Sequence, residues 1–339
     1  MAVVGLGNRG ASIVAILDSM PQVDLQWLCD HDPAAQLRWR LRYSTTRITS
    51  DVDEILNDED VDGIVVSTPS VTHYDLVRRA LEADKHVLVE KPLALRSDQA
   101  DDLVQRAEER DRCLVVGNTR LFHPAVRRLK KLLSLGRLGD LYYLHADHRE
   151  SPRKDEHASA LWKLGSLDVP VVLHLLGDEP VEVSAAGGSY EESGIIDVVS
   201  CQLAFATGIA AHIHLSLLDP RRVSCITAIG SKAAATFDDG PRERALTLRQ
   251  RSGDIVSPRL TDDEPSRLEC EHFLNAVRSP AEARATPREG AAMVSVLEAL
   301  QRSLDNGAAP TPVHGGPRAR TPVRASGGGA RLFKLSRAI

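Results

Sequence analysis

Residues 2–10 read Ala2-Val3-Val4-Gly5-Leu6-Gly7-Asn8-Arg9-Gly10. A short apolar run passes into G-x-G-x-x-G, and the helical stretch ASIVAILDSM (11–20) follows at once. The glycine pattern alone is common in loops. Between a strand and a helix it has a mechanism: the glycines permit a tight turn and let the backbone approach a pyrophosphate at the helix N-terminus. Gly5, Gly7, Asn8, Arg9 and Gly10 are therefore expected to hold a dinucleotide. Asp30 ends the second strand, 20 residues after Gly10. An acidic group there accepts hydrogen bonds from the adenosine ribose and repels a 2′-phosphate, which favours NAD over NADP.

Outward from this loop, the first 120 residues alternate apolar runs with amphipathic stretches. VDLQWLC (23–29), DGIVVSTP (62–69), KHVLVE (85–90) and RCLVVG (112–117) read as further strands with helical spacing between them. That alternation predicts an α/β domain, a doubly wound parallel sheet with helices on both faces. Ligands of such sheets sit beyond the carboxyl ends of the strands, which brings Ser67, Thr68 and Pro69 to the cofactor edge. His73 follows a turn later and reads equally well as a cap or a surface residue.

After residue 120 the pattern changes. HPAVRRLKKLLSLG (123–136) has helical spacing with Gly136 as its stop. Six strand-like runs between about 180 and 250 lack intervening helices, so a large, open, mostly antiparallel sheet is expected. Two helical stretches, PSRLECEHFLNAVRS (265–279) and EGAAMVSVLEALQRSLDNG (289–307), close the domain. Beyond residue 308 the chain is rich in Pro, Gly and Arg, as a disordered tail would be. The expected division is 1–120, 121–308 and a tail at 309–339.

Composition narrows the function. The chain has 339 residues, enough for two domains, and a net charge of −5 that does not suit nucleic acid. No run of 18 apolar residues exists, so no membrane span is expected. No signal sequence is read at the start, and a cytoplasmic protein is expected. Five cysteines stand without a C-x-x-C pair, which argues against zinc or a disulfide framework and for no metal site.

Val89-Glu90-Lys91-Pro92 closes the fifth strand. A strand ending in Glu-Lys-Pro, after G-x-G-x-x-G and a strand ending in Ser-Thr-Pro, resembles the Gfo/Idh/MocA family of oxidoreductases. The resemblance continues through Gly117, Phe122-His123-Pro124-Ala125 and much of 175–274, and looks nearest to the nucleotide-sugar and amino-sugar dehydrogenase branch. It implies an N-terminal NAD-binding Rossmann domain and a C-terminal α+β domain for substrate binding and oligomerisation. A sugar, nucleotide-sugar or cyclitol substrate and a homodimer or homotetramer are implied as well. It places Lys91 beside the nicotinamide, orienting and polarising the reacting hydroxyl or carbonyl, with Glu90 in support. Burial lowers a lysine pKa toward a useful acid–base range.

One stretch departs from the family. LWKLGSLDVPVVLHLLG (161–177) matches the segment in which relatives carry D-x-x-x-H-D, the Asp orienting and the His accepting the alcohol proton. Here Lys163 stands for that Asp and Leu167 for that His, and Asp168 is kept, so Lys163 and Asp168 join Lys91 as the candidate catalytic residues. Leucine cannot act as a base. His174 lies seven residues beyond Leu167, about 10.5 Å along a helix, too far to replace it. Pro170 is expected near a helix start, which would make Asp168 the N-cap of a helix over 169–176.

Two other substitutes offer themselves, and a pair of arginines bears on the substrate instead. Lys163 facing Lys91 would disfavour both charges and make one lysine a base. HADHRESPRKDEHASA (145–160) supplies His148, Asp155, Glu156 and His157 on what reads as a polar loop. Arg221 and Arg222 are placed to contact an anionic substrate, or to lie on the surface. Two readings result: an NAD-dependent oxidoreductase retaining Lys91, and a cofactor- or sugar-binding relative with altered, non-redox chemistry or a partner role.

Overall fold

A computed structural model describes residues 1–151, 159–191, 194–240, 244–279 and 285–313. The first sheet has six parallel strands: β1 (Ala2–Val4), β2 (Trp27–Cys29), β3 (Arg47–Thr49), β4 (Gly63–Val66), β5 (His86–Glu90) and β6 (Leu114–Gly117). Their order is β3-β2-β1-β4-β5-β6. Helices α1 (Asn8–Asp18), α2 (Pro33–Arg42), α3 (Val52–Leu56), α4 (His73–Glu82) and α5 (Ser97–Glu109) connect them. The strand order reverses between β1 and β4, and the crevice at that switch point lies over the glycine loop. Strand β3 and helix α2 escape the sequence reading because Arg47–Thr49 is a short edge strand and α2 has a weak apolar face, burying only Ala35 and Trp39.

The second layer begins with α6 (Pro124–Ser134), β7 (Leu141–Arg149) and α7 (Ser166–Leu176). It continues through β8 (Pro180–Gly188), β9 (Val198–Phe205), β10 (Ala210–Ser216), β11 (Val223–Gly230), β12 (Ala233–Asp238), β13 (Leu246–Gln250) and β14 (Ile255–Val256). Helices α8 (Pro265–Arg278) and α9 (Ala285–Asp305) and the short strand β15 (Thr311–Pro312) complete it. The nine strands run β14-β13-β12-β11-β7-β10-β9-β8-β15, antiparallel except for the β7–β10 pair.

Strand β7 is a correction. Residues 145–149 read as loop, yet they lie between β10 and β11 near the middle of the sheet. Leu144, Ala146 and His148 alternate inward and are buried, a period of two that the charged residues around them disguise.

The domain boundary needs correction too. Helix α8 follows the second sheet in sequence but packs on the first domain: Cys270, Phe273 and Ala276 join Val3, Leu6, Ile13 and Leu17 in one core. The tail expected from residue 309 starts later, because Thr311–Pro312 pairs with β8 and Val313 is buried. The rest of that tail, 314–339, lies outside the described residues, as do Asp155, Glu156 and His157.

Phe273 is the residue of α8 that commits it to this core, being fully buried beneath the sheet. Phe273→Ala is expected to cost about 3–5 kcal/mol. Urea unfolding followed by far-ultraviolet circular dichroism checks this.

Candidate active site

The glycine loop has the geometry that its spacing predicts. Gly5 takes a positive φ of 92°, and a Cβ there would lie 2.4 Å from the Ser67 carbonyl oxygen. A Cβ on Gly10 would lie 1.9 Å from the Gly5 oxygen, so only glycine lets α1 pack onto the turn. Gly7 differs, because a Cβ there would meet nothing within 4 Å. Gly7 is also the N-cap of α1 and offers no side-chain cap. The first-turn N–H groups therefore face open space beside a glycine, the arrangement that accepts a pyrophosphate.

Asp30 stands at the end of β2 and accepts hydrogen bonds from the backbone N–H of Leu6 (2.7 Å) and of Asp32 (2.9 Å). Its carboxylate thus ties the loop to β2 and keeps lone pairs for ribose hydroxyls. Ser67, Thr68 and Pro69 follow β4 at the same edge, and the Thr68 and Thr72 hydroxyls lie 2.7 Å apart. His73 is buried between the strand ends, its ring nitrogens 2.7 Å from the Pro92 oxygen and 2.9 Å from the Thr68 oxygen. These groups fit a dinucleotide, and the fit does not depend on Arg9.

The Arg9 side chain is engaged elsewhere. Its guanidinium donates to Glu90 (2.5 Å), Ser266 (3.0 Å), Thr119 (2.8 Å) and the buried Glu269. It joins the loop, the end of β5 and α8, an interdomain junction that the sequence reading missed. Burial pushes the Glu269 carboxyl up to about 8; Glu90 adds to the rise and Arg9 opposes it. The folded protein then holds this proton between the ordinary carboxyl range and about pH 8, so the contribution to stability falls as pH rises through that window.

Lys91 follows β5. Its ammonium donates to Ser166 Oγ at 2.9 Å, and Ser166 Oγ in turn donates to the Lys163 carbonyl at 3.1 Å. Burial holds Lys91 below the ordinary lysine value; Glu90 opposes this and Arg120 reinforces it. Ser166 is fully buried, one residue before Leu167. Sequence reading passed over it because the family motif directs attention to positions 163 and 167.

The segment 161–177 is helical throughout. Leu161–Gly165 forms a π-turn and Ser166–Leu176 continues as α7, ended by Gly177 at φ 70°. A π-turn leaves the carbonyl ladder mismatched where it rejoins the α-helix, so Pro170 removes a donor where the ladder is already interrupted. Asp168 is therefore not an N-cap. It is 1% exposed, bonded to the Arg120 guanidinium and, at 2.9 Å, to His148 Nδ1. Burial pushes its carboxyl up, but Arg120 and His148 outweigh that and leave it below the ordinary value. A carboxylate so enclosed and paired is a structural anchor, which corrects its expected catalytic role.

Lys163 is corrected in the same way. It forms an ion pair with Glu150 at 2.6 Å, and its effect on Lys91 is smaller than those of burial, Glu90, Arg120 and Asp168. The two-lysine base therefore lacks support. Arg221 and Arg222 are exposed beyond β10, with Arg222 on Asp239.

A cavity of about 460 Å³ opens beside Lys91, between β6, α7 and the start of α9. Asn118, Pro170, His174, Glu289 and Met293 contribute to its wall. Asn118 is 6% exposed, and neither of its amide atoms has a hydrogen-bond partner among the described residues. An unsatisfied buried amide beside a cavity is a feature that a polar ligand would complete. His174 shares this cavity, with burial and Lys130 lowering its pKa.

This loop, strand end and second sheet define a dinucleotide-dependent oxidoreductase scaffold. Residues 1–118 match the model of the oxidoreductase family with an NAD-binding Rossmann fold, and 126–236 match the GFO/IDH/MocA C-terminal domain. The chain belongs to the Gfo/Idh/MocA family.

The scyllo-inositol 2-dehydrogenase (NAD(+)) of Bacillus subtilis is 26% identical over 325 residues, covering 90% of this chain and 94% of that one. The UDP-N-acetylglucosamine 3-dehydrogenase of Acidithiobacillus ferrooxidans is 30% identical over 187 residues, 55% of this chain and 56% of that one. Among solved structures, GenD2 from gentamicin A biosynthesis, in complex with NAD, superposes with a TM-score of 0.81 at 26% identity, covering 92% of this chain and 95% of that one.

Two expectations test the buried carboxyls Asp168 and Glu269. Asp168→Ala strands Arg120 in the interior and should cost about 3–5 kcal/mol by denaturant titration. Glu269→Gln removes the proton held up to about pH 8, so its melting temperature should gain on the parent protein's between pH 5 and pH 8 and keep a constant lead above pH 9. Differential scanning fluorimetry across that range reads the change; a flat difference contradicts it.

Proposed function

We propose that this protein oxidises a hydroxyl of a sugar, nucleotide-sugar or cyclitol with NAD, or runs the reverse reduction, with Lys91 orienting the reacting oxygen. The observation that carries this reading is the position of the Lys91 ammonium. It is held by Ser166 at the strand edge that carries the glycine loop, and the residue also lines the adjoining cavity. NAD supplies the hydride acceptor when bound. Gly5, Gly7, Asn8 and Gly10 receive its pyrophosphate through the backbone, Asp30 takes the ribose hydroxyls, and Ser67, Thr68 and Pro69 border the path toward Lys91. The activities of the inositol and UDP-N-acetylglucosamine dehydrogenases support a polyhydroxylated substrate. The unsatisfied Asn118 amide beside Lys91 supports a polar ligand as well.

No helix among the described residues is long and apolar enough to cross a membrane. A cytoplasmic homodimer or homotetramer, associating through the second sheet, accords with this reading. One observation favours a second reading, in which the cofactor is bound but ordinary alcohol oxidation is lost: Leu167 leaves the proton-accepting position empty of chemistry.

Titration with NADH, followed by nicotinamide fluorescence, tests the cofactor site. Micromolar binding is expected, weakened roughly 10–100-fold by Asp30→Ala, the loss of a charged hydrogen bond. Turnover on a panel of inositols and nucleotide sugars tests the chemistry. Lys91→Met should lower kcat about 10²–10⁴-fold with NADH affinity preserved. Binding without turnover on any member of the panel would favour the second reading.

A further inference from the structure

We infer that Glu150 is the proton acceptor of this oxidoreductase and that Lys163 positions it. The assignment rests on the oxidoreductase reading above and goes beyond it by supplying the base that Leu167 cannot be. Glu150 directly follows β7, its N–H held by the Ser216 carbonyl at 3.0 Å, so its backbone is fixed to the sheet. Its Oε1 meets Lys163 Nζ at 2.6 Å. The Glu150 side chain remains 20% exposed, while Lys163 Nζ is buried against it. Lys163 thus holds a carboxylate that solvent and ligand can still reach.

Position supports the role. Lys163 lies three residues before Ser166, about 4.5 Å along the helix, and the Lys91 ammonium sits on Ser166. A hydroxyl held by Lys91 would then lie within about one helical turn of the Lys163–Glu150 pair. The alternatives fail on access or reach. Asp168 is sealed between Arg120 and His148, and His148 is 2% exposed. His174 lines the cavity beside Lys91, but it lies eight residues, about 12 Å along α7, beyond Ser166, on which the Lys91 ammonium sits.

Charge supports it as well. In the family motif the helix carries an anion and a base; here the helix carries the cation Lys163 and strand β7 carries the anion. In the step, the carbinol C–H bond breaks with its electron pair passing to the oxidised nicotinamide. The O–H proton passes to Glu150 and a C=O bond forms. Lys91 stabilises the negative charge developing on the oxygen, Lys163 keeps Glu150 in place, and protonated Glu150 releases its proton to solvent.

The test uses the full chain with NAD and the best substrate of the panel. Glu150→Gln should fold with an unchanged melting temperature, bind NADH as the parent does, and lose kcat about 10²–10⁴-fold. Glu150→Ala should regain part of its rate with added formate, which a purely structural role would not produce. In the cofactor-free protein, trinitrobenzenesulfonate should label Lys163 several-fold faster in Glu150→Gln than in the parent. Turnover within threefold of the parent's in Glu150→Gln, no rescue by formate, or unchanged labelling would each overturn the assignment and leave the oxidoreductase reading standing. Absence of turnover by the parent protein with NADH bound would overturn both.

Discussion

The buried Asp168–Arg120 ion pair is the constraint on which the site depends. Arg120 comes from the turn after β6, Asp168 from α7, His148 from β7 and Ser224 from β11, and Arg120 also donates to Ser224 Oγ at 2.9 Å. Two domains and two strands of the large sheet therefore meet at one ion pair, β7 at its carboxylate and β11 at its guanidinium. Burying two charges is costly; here each has more than one partner, although Arg120 Nε has no hydrogen-bond partner among the described residues. The return is positional: with α7 held at Asp168, Ser166 comes under Lys91 and Lys163 over Glu150.

A second junction sets the cofactor edge. Arg9 links the glycine loop to Glu90, and so to the residue beside Lys91, while Glu269 reaches it from α8. The chain thus returns to its first domain after building the second, and the core around Phe273 makes that return stable. The loop can offer its backbone to a pyrophosphate because Gly7 leaves open space in front, and because Arg9 fastens the first turn of α1 from the other side.

The first domain was legible because its chemistry is local. Gly5, Gly7 and Gly10 encode a turn by spacing alone, and the continuous apolar strands announce a parallel sheet. The catalytic region was legible only in part. Lys91 could be read from its motif, but Ser166 and Glu150 gain their roles from contacts across 75 positions of sequence and between separate elements. His148 was hidden in what read as a loop, since its burial depends on Asp168. Asp168 was misread as a cap because Pro170 normally marks a helix start, and the π-turn that admits it has no local sequence signature. Helix α8 carried a clear amphipathic pattern, but nothing in that pattern says which domain its apolar face will meet.

The most direct measurement is a crystal structure of the protein with NAD and an inositol or nucleotide sugar. The account predicts the pyrophosphate on the N-terminus of α1, the adenosine ribose on Asp30, and the nicotinamide beside Lys91. The reacting hydroxyl should lie within about 3 Å of both the Lys91 ammonium and the Glu150 carboxylate. A dinucleotide seated there with its nicotinamide remote from Lys91, or a hydroxyl approached by another titratable group, would contradict it.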